Sequence, residues 1–216
     1  MEDLEGLYIK LYNHFGPQNW WPAESRFEMM VGAILTQNVY WKNVEIVIAR
    51  LKQEGILDPK SILKTPDTVL QELIRPSVFY KQKTNSIKRL ALAIIEADGV
   101  DSFLNKNDLR TRLLDIKGIG PETANSIALY AGDKPYFVVD AYTMRILERM
   151  YGIVGNYSTI QNMFHKSLKK DIEQYQEFHA LLVRTAKDFC TVKPRCVKCP
   201  VSDRCRYSNQ KNTSSI

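Results

Sequence analysis

Apolar positions recur at three- and four-residue spacing along almost the whole chain. Leu4, Leu7, Tyr8, Leu11 and Tyr12 make the first stripe, the pattern of a helix that buries one face. Ser25, with Glu28 three residues on, has the form of a capping box, in which hydroxyl and carboxylate each accept from a free amide of the first turn. Phe27, Met30, Val31, Ile34 and Leu35 carry that stripe onward. Asp58-Pro59 and Thr65-Pro66 each set a capping residue before a proline suited to the first helical position, which predicts two short helices. Ile87, Leu90, Ala91, Ile94 and Ile95 predict a longer helix, which Gly99 would end in the left-handed conformation. Ser158 to Gln161 reads as another capping box. Tyr175, Phe178, Leu182, Val183 and Ala186 form a last stripe that leads into Cys190. Strand-type alternation is missing, and the one β-like run, Tyr136 to Val139, is short. The pattern predicts an all-α protein without internal repeats, ending in a polar tail, Ser208 to Ile216, that is expected to fray.

Composition narrows the class but not the function. The 216 residues are 44% hydrophobic, enough for a folded core. No apolar run is long enough to span a bilayer. Met1 to Glu5 is acidic and lacks the basic-then-apolar order of a signal peptide, so the expected location is cytoplasmic, with nucleoid association in a bacterium. Thirty Lys and Arg stand against 24 Asp and Glu, a net charge of +6. That excess permits a polyanionic partner without demonstrating one.

The chemistry starts at Leu114-Asp115-Ile116-Lys117-Gly118-Ile119-Gly120-Pro121-Glu122-Thr123-Ala124. One helix runs up to Ile116, two glycines turn the chain, and Pro121 suits the first turn of the next helix. Gly118 and Gly120 allow a tight turn and close approach to another surface. Their amides at a helix N-terminus make a nest for a phosphate, which positions DNA without reading sequence. An ordinary helix-turn-helix connection would share these residues. Twenty residues beyond Gly120 stands Asp140, between the run Tyr136 to Val139 and the helical pattern Ala141 to Leu147. It belongs at a helix N-cap. There it is either a structural cap or a carboxylate kept ionised by dipole and amides, able to stabilise an oxocarbenium-like sugar or orient water.

Ile116 to Ala124 followed by Val138-Val139-Asp140 resembles the helix-hairpin-helix and Gly/Pro-Asp signature of the endonuclease III superfamily of DNA glycosylases. The likeness runs from about Phe27 to Cys205 and includes Leu35 to Asn38 and Phe79 to Lys83. It implies a two-lobed fold: residues 25–132 as a helical barrel with the hairpin, and residues 1–24 with 133–216 as a second lobe, Asp140 lying at the cleft between them. It also implies that Gln37 fills the gap left by a flipped base and that Phe79 wedges into the opposite strand, roles that fit the need to prop open an unstacked duplex. A core aromatic is the alternative for Phe79. Lys117 would face phosphate. Bifunctional members carry a lysine two residues after the second hairpin glycine, whose amine forms an imine with the sugar. Here that position is Glu122, so the resemblance implies base excision by Asp140 and water without AP lyase activity. Glu122 either assists the catalysis or stabilises its helix as a first-turn acid.

Trp20, Trp21 and Pro22 precede the Ser25 helix, and Trp41 follows Gln37. Tryptophan faces attract cations, and alkylation at a purine ring nitrogen makes the base cationic and a better leaving group. These four residues are similar to the aromatic pocket of the 3-methyladenine branch of the superfamily. They would otherwise be packing anchors.

Cys190, Cys196, Cys199 and Cys205 follow C-x5-C-x2-C-x5-C within the last 27 residues. Such clustering points to metal rather than a disulfide framework, and four thiolates suit either zinc or a [4Fe–4S] cluster. The resemblance favours the cluster, the endonuclease III motif having one more residue in the first gap. Lys193, Arg195, Lys198 and Arg204 among the cysteines would contact phosphate or offset thiolate charge. The expectation is thus a monomeric base excision repair enzyme, away from membranes, that acts on an alkylated purine such as 3-methyladenine in double-stranded DNA. The alternatives are a mismatch or oxidised-base glycosylase of the same fold, and a non-catalytic DNA-binding hairpin module.

Overall fold

A computed structural model describes the backbone of residues 3–213 and the side chains of residues 3–210. Among these residues the regular structure is α-helix with three single 3-10 turns. The chain resolves into two compact units, Met1–Trp20 with Pro135–Ile216, and Trp21–Lys134. Helix α1 (Leu4–Phe15) opens the first unit. The second holds α2 (Arg26–Leu35), α3 (Trp41–Gln53), α4 (Pro59–Lys64), α5 (Asp67–Ile74), α6 (Tyr80–Glu96), α7 (Val100–Leu104), α8 (Leu109–Asp115) and α9 (Pro121–Tyr130). The chain then returns to the first unit with α10 (Ala141–Tyr151), α11 (Tyr157–Ser167), α12 (Ile172–Asp188) and α13 (Arg206–Thr213). No helix of the described residues is long and apolar enough to cross a membrane.

In the unit Trp21–Lys134, α2 is buried on every side from Phe27 to Leu35, the signature of a core helix. It packs on α3, α6 and α9. Helix α6 meets this core through Ile87, Leu90, Ala91 and Ile94, all without solvent contact.

The other unit has an aromatic core. Phe137 stacks on Phe164 with ring centroids 3.8 Å apart, and Tyr175 and Phe178 meet it edge to face. Phe137 belongs to the β-like run, which is buried from Phe137 to Val139 and forms no strand among the described residues. Side chains replace the missing ladder: the Phe137 amide donates to His165 Nε2 at 3.0 Å, and Gln161 Nε2 donates to the Phe137 carbonyl at 2.6 Å.

Helix ends differ from expectation in five places. Ser25 caps α2 by accepting from the Glu28 amide, but Glu28 accepts from the amide of Glu24 rather than of Ser25. Asp58 caps α4 as expected, yet Thr65 closes α4 by donating to the Ser61 carbonyl, and Pro66 stands at the start of α5. Helix α6 ends before Gly99: Asp98 takes the left-handed φ of 63°, and Gly99 has φ 116° and ψ 175°. The cap of α11 is Asn156, whose Oδ1 accepts from the Thr159 amide, and Ser158 lies inside the helix. An asparagine at the extended position outcompetes a serine two residues later. Residues 208–213, expected to fray, lie in α13, with Ser208 buried. The rest of that tail, residues 214–216, lies outside the described residues.

Candidate active site

Asp140 ends the buried extended segment and caps α10. Its Oδ1 accepts from the Thr143 amide at 2.7 Å, and its Oδ2 is 3.5 Å from Nε2 of His179 on α12. The carboxylate side chain is only 13% exposed. Burial by itself pushes the Asp140 carboxyl toward its neutral form. The His179 imidazole and the Thr143 amide outweigh burial and hold the pKa below the ordinary carboxylate range, so the group is ionised at neutral pH. A fixed anion at a helix N-terminus can oppose a developing positive charge or orient a water molecule. Sequence reasoning missed His179. Its signal was a polar residue on the apolar stripe of α12, one position past Phe178 and four past Tyr175.

Also in this unit, Lys187 Nζ lies 5.9 Å from the ring centroids of both Trp20 and Tyr142. Trp20 is therefore a partner of α12. The peptide bond between Trp20 and Trp21 is the boundary between the units.

A cavity of about 210 Å³ in the other unit is lined by Trp21, Pro22 and Trp41 with Glu28, Gly32, Glu45 and Lys52 among its other walls. The Trp21 and Trp41 rings meet edge to face, 5.3 Å between centroids. Trp41 Nε1 donates to Glu45 Oε1 at 2.8 Å, fixing the indole and setting a carboxylate beside it. Glu28 is paired with Lys52 at 3.0 Å.

The hairpin joins α8 to α9. Gly118 is exposed, has φ 97°, and lies so close to Ser86 that an added Cβ would overlap the Ser86 hydroxyl. Both its backbone and its surroundings require glycine. Gly120 differs: its φ is −90°, and an added Cβ would meet nothing within 4 Å. The close approach expected of both glycines is internal for Gly118 alone. Gly120 caps α9 without a side-chain hydrogen bond, so its missing side chain leaves the first amides of α9 clear. Lys117 is exposed beside it, and Glu122 is exposed in the first turn of α9. Gln37 Nε2 donates to the Gly118 carbonyl at 3.0 Å and to Thr123 Oγ1 at 2.9 Å, docking the Gln37 turn on the hairpin. Phe79 is 55% exposed and left-handed at the start of α6, which places it on the surface and not in the core.

Cys190, Cys196, Cys199 and Cys205 line one cavity with Arg149 and Tyr207. All four are free thiols. Burial, followed by the neighbouring cysteines, raises the pKa of Cys199 and of Cys205. Four thiols in one apolar cradle have the chemistry of metal ligands, while among the described residues no group of three or more His, Cys, Asp or Glu is placed to hold a metal ion. Arg149 donates to Cys190 Sγ at 3.4 Å and to the Thr191 carbonyl at 2.6 Å, tying α10 to this loop. Lys193, Arg195 and Lys198 are exposed around it, and Arg204 pairs with Asp3.

The HhH-GPD superfamily of base excision DNA repair proteins matches residues 31–170. A candidate DNA repair glycosylase of Methanocaldococcus jannaschii is 46% identical over 212 residues, covering 94% of this chain and 96% of that protein. The crystal structure of the H. pylori 3-methyladenine DNA glycosylase bound to 1,N6-ethenoadenine is similar at 30% identity and a TM-score of 0.76, over 85% of this chain and 95% of that one. A complex of endonuclease III with DNA has a TM-score of 0.84 over 99% of this chain and 100% of its own, at 20% identity, a likeness of fold alone.

The two hairpin glycines separate in a stability measurement. Gly118→Ala is expected to lower unfolding free energy by about 1–3 kcal/mol, because left-handed strain and the Ser86 overlap act together. Gly120→Ala is expected to stay within about 0.5 kcal/mol of wild type in the same urea titration.

Proposed function

The chain belongs to the HhH-GPD superfamily of base excision DNA repair proteins and is a DNA glycosylase; on that premise we propose that it is monofunctional and releases an alkylated purine such as 3-methyladenine from double-stranded DNA. The observation that carries this reading is Asp140, a buried carboxylate kept ionised by His179 and the amide of Thr143. As the bond between C1′ and the purine nitrogen breaks, its electron pair leaves with the base and the sugar becomes cationic. Asp140 stabilises that cation, water adds to C1′, and an abasic site remains. A cationic alkylpurine becomes neutral on leaving, so little protonation by the protein is needed. Trp21 and Trp41 supply aromatic faces for such a cation, and Glu45 adds a negative charge at the same cavity.

Glu122 occupies the place where bifunctional members carry a lysine, and a carboxylate forms no imine. Exposed in the first turn of α9, it acts chiefly on the helix dipole. Lys117 and the amides of Gly118 and Gly120 hold a phosphate, while Gln37 fills the place of the flipped base and Phe79 wedges into the opposite strand.

The four cysteines would hold a [4Fe–4S] cluster in preference to zinc, and its contribution is structural: it would fix the loop bearing Lys193, Arg195 and Lys198 for contact with the DNA backbone. Arg149 then serves as donor to a ligand sulfur.

Two measurements test these assignments. Incubation of the purified protein with methylated duplex DNA should release 3-methyladenine on chromatography, leave the strand intact until alkali is added, and give no borohydride-trapped adduct. Trapping would refute monofunctional action, and absence of any methylated base would refute the substrate. Protein purified without air should contain about four iron and four acid-labile sulfide per chain; zinc at one per chain would assign the other metal.

A further inference from the structure

One buried charge lies outside the catalytic chemistry. Lys83, in the second turn of α6, is 3% exposed. Its ammonium donates to three carbonyls: Leu35 at 2.8 Å, Gln37 at 2.9 Å and Ser77 at 2.5 Å. All three hydrogens of the head group are thereby used. Two of these acceptors lie at the C-terminal end of α2, where a cation is favoured by the helix dipole. The third closes the 3-10 turn Arg75–Ser77. Each acceptor sits at the root of a turn. Gln37 follows α2 directly, and Ser77 is followed by Val78 and Phe79.

That second turn is strained. Val78 has φ 55° and Phe79 φ 47°, a left-handed pair without glycine, and Val78 is β-branched. Such conformations cost free energy and persist only where the surroundings impose them. Both side chains are nevertheless exposed, at 47% and 55%, so packing of the side chains themselves does not impose it. What lies underneath is Ser77, wholly buried, with its hydroxyl donating to Ile74 and its carbonyl accepting from Lys83.

We infer that Lys83 is a positioning residue that ties the Gln37 turn and the Val78–Phe79 turn into one rigid edge, so that both side chains enter a damaged duplex together. The inference rests on the reading above that Gln37 and Phe79 insert into DNA, and it is independent of which base is excised. Burying a lysine away from any carboxylate is costly, and its use here is geometric: one ammonium reaches three backbone groups from two separate turns, which an apolar side chain cannot do. Burial pushes the pKa down to about 8, so the clamp is charged at neutral pH and near the edge of losing its proton.

The test uses a duplex carrying a tetrahydrofuran abasic-site analogue with 2-aminopurine opposite, whose fluorescence rises on unstacking. No base is excised, so substrate identity does not enter. Lys83→Met should lower selectivity for this duplex over undamaged DNA by about tenfold and suppress the fluorescence rise, with affinity for undamaged DNA unchanged. Lys83→Arg, which keeps the charge and several donors, should recover part of both. Phe79→Ala should add nothing in the Lys83→Met background, since the two act as a unit. Should Lys83→Met fail to fold, the wild-type chain carries the test. Its three facing groups are uncharged backbone carbonyls, and between pH 7 and pH 9 the head group falls to two hydrogens for three acceptors. Selectivity should drop over that range in wild type and stay level in Lys83→Arg. Selectivity and fluorescence that are normal in Lys83→Met, additive with Phe79→Ala, or flat with pH in wild type overturn the inference. If Gln37→Ala and Phe79→Ala themselves leave the fluorescence unchanged, the insertion reading falls and the inference with it.

Discussion

A carboxylate that stays charged while almost fully buried is the constraint around which its unit is arranged. Isolated, such a group would take up a proton or force the structure open. Asp140 does neither because two elements converge on it: the first turn of α10 through the Thr143 amide, and α12 through His179. The segment that delivers it must be buried and extended without a neighbouring strand. That is why His165 and Gln161 satisfy the backbone of Phe137, and why the rings of Phe164, Tyr175 and Phe178 pack around that residue. In the proposed function this arrangement would preorganise a negative charge before substrate arrives, which is how electrostatic catalysis avoids reorganisation during a reaction.

The unit Trp21–Lys134 works by a different device. Gln37, Phe79 and Lys117 stand on turns, and each turn is pinned to a helix by a short polar contact. Gln37 docks on Gly118 and Thr123, Lys83 spans the roots of the Gln37 and Phe79 turns, and Ser86 holds the hairpin by donating to the Lys117 carbonyl. Flexible segments thus acquire the definition of the helices beneath them, the usual requirement of a recognition surface built from loops.

The helices themselves were legible because their apolar stripes are long and regular. Their ends were less so, because several candidate caps lie within two residues of one another and tertiary context chooses among them. Asn156 displaced Ser158, and Asp98 took the left-handed place assigned to Gly99. Asp140 was legible from its place between an apolar run and a helix, and the cysteines from their spacing. Trp20 and Trp21, adjacent in sequence, fall on either side of the boundary between the two compact units, which their adjacency does not announce. His179 and Lys83 escaped notice although each interrupts an apolar helical face. A polar residue at such a position is an anomaly whose partner, a carboxylate or a set of carbonyls far along the chain, only the folded structure supplies.

The central claim is that the Asp140 charge, beyond its role as a cap, drives the chemistry. Asparagine caps helices as well as aspartate does, so Asp140→Asn removes the charge and keeps the fold. The decisive measurement is base release by this variant under single-turnover conditions, alongside its affinity for the same methylated duplex. The account predicts a loss of at least about a hundredfold in rate with affinity unchanged. A variant that still releases base near the wild-type rate, while binding as tightly, would contradict it and leave Asp140 as a structural cap.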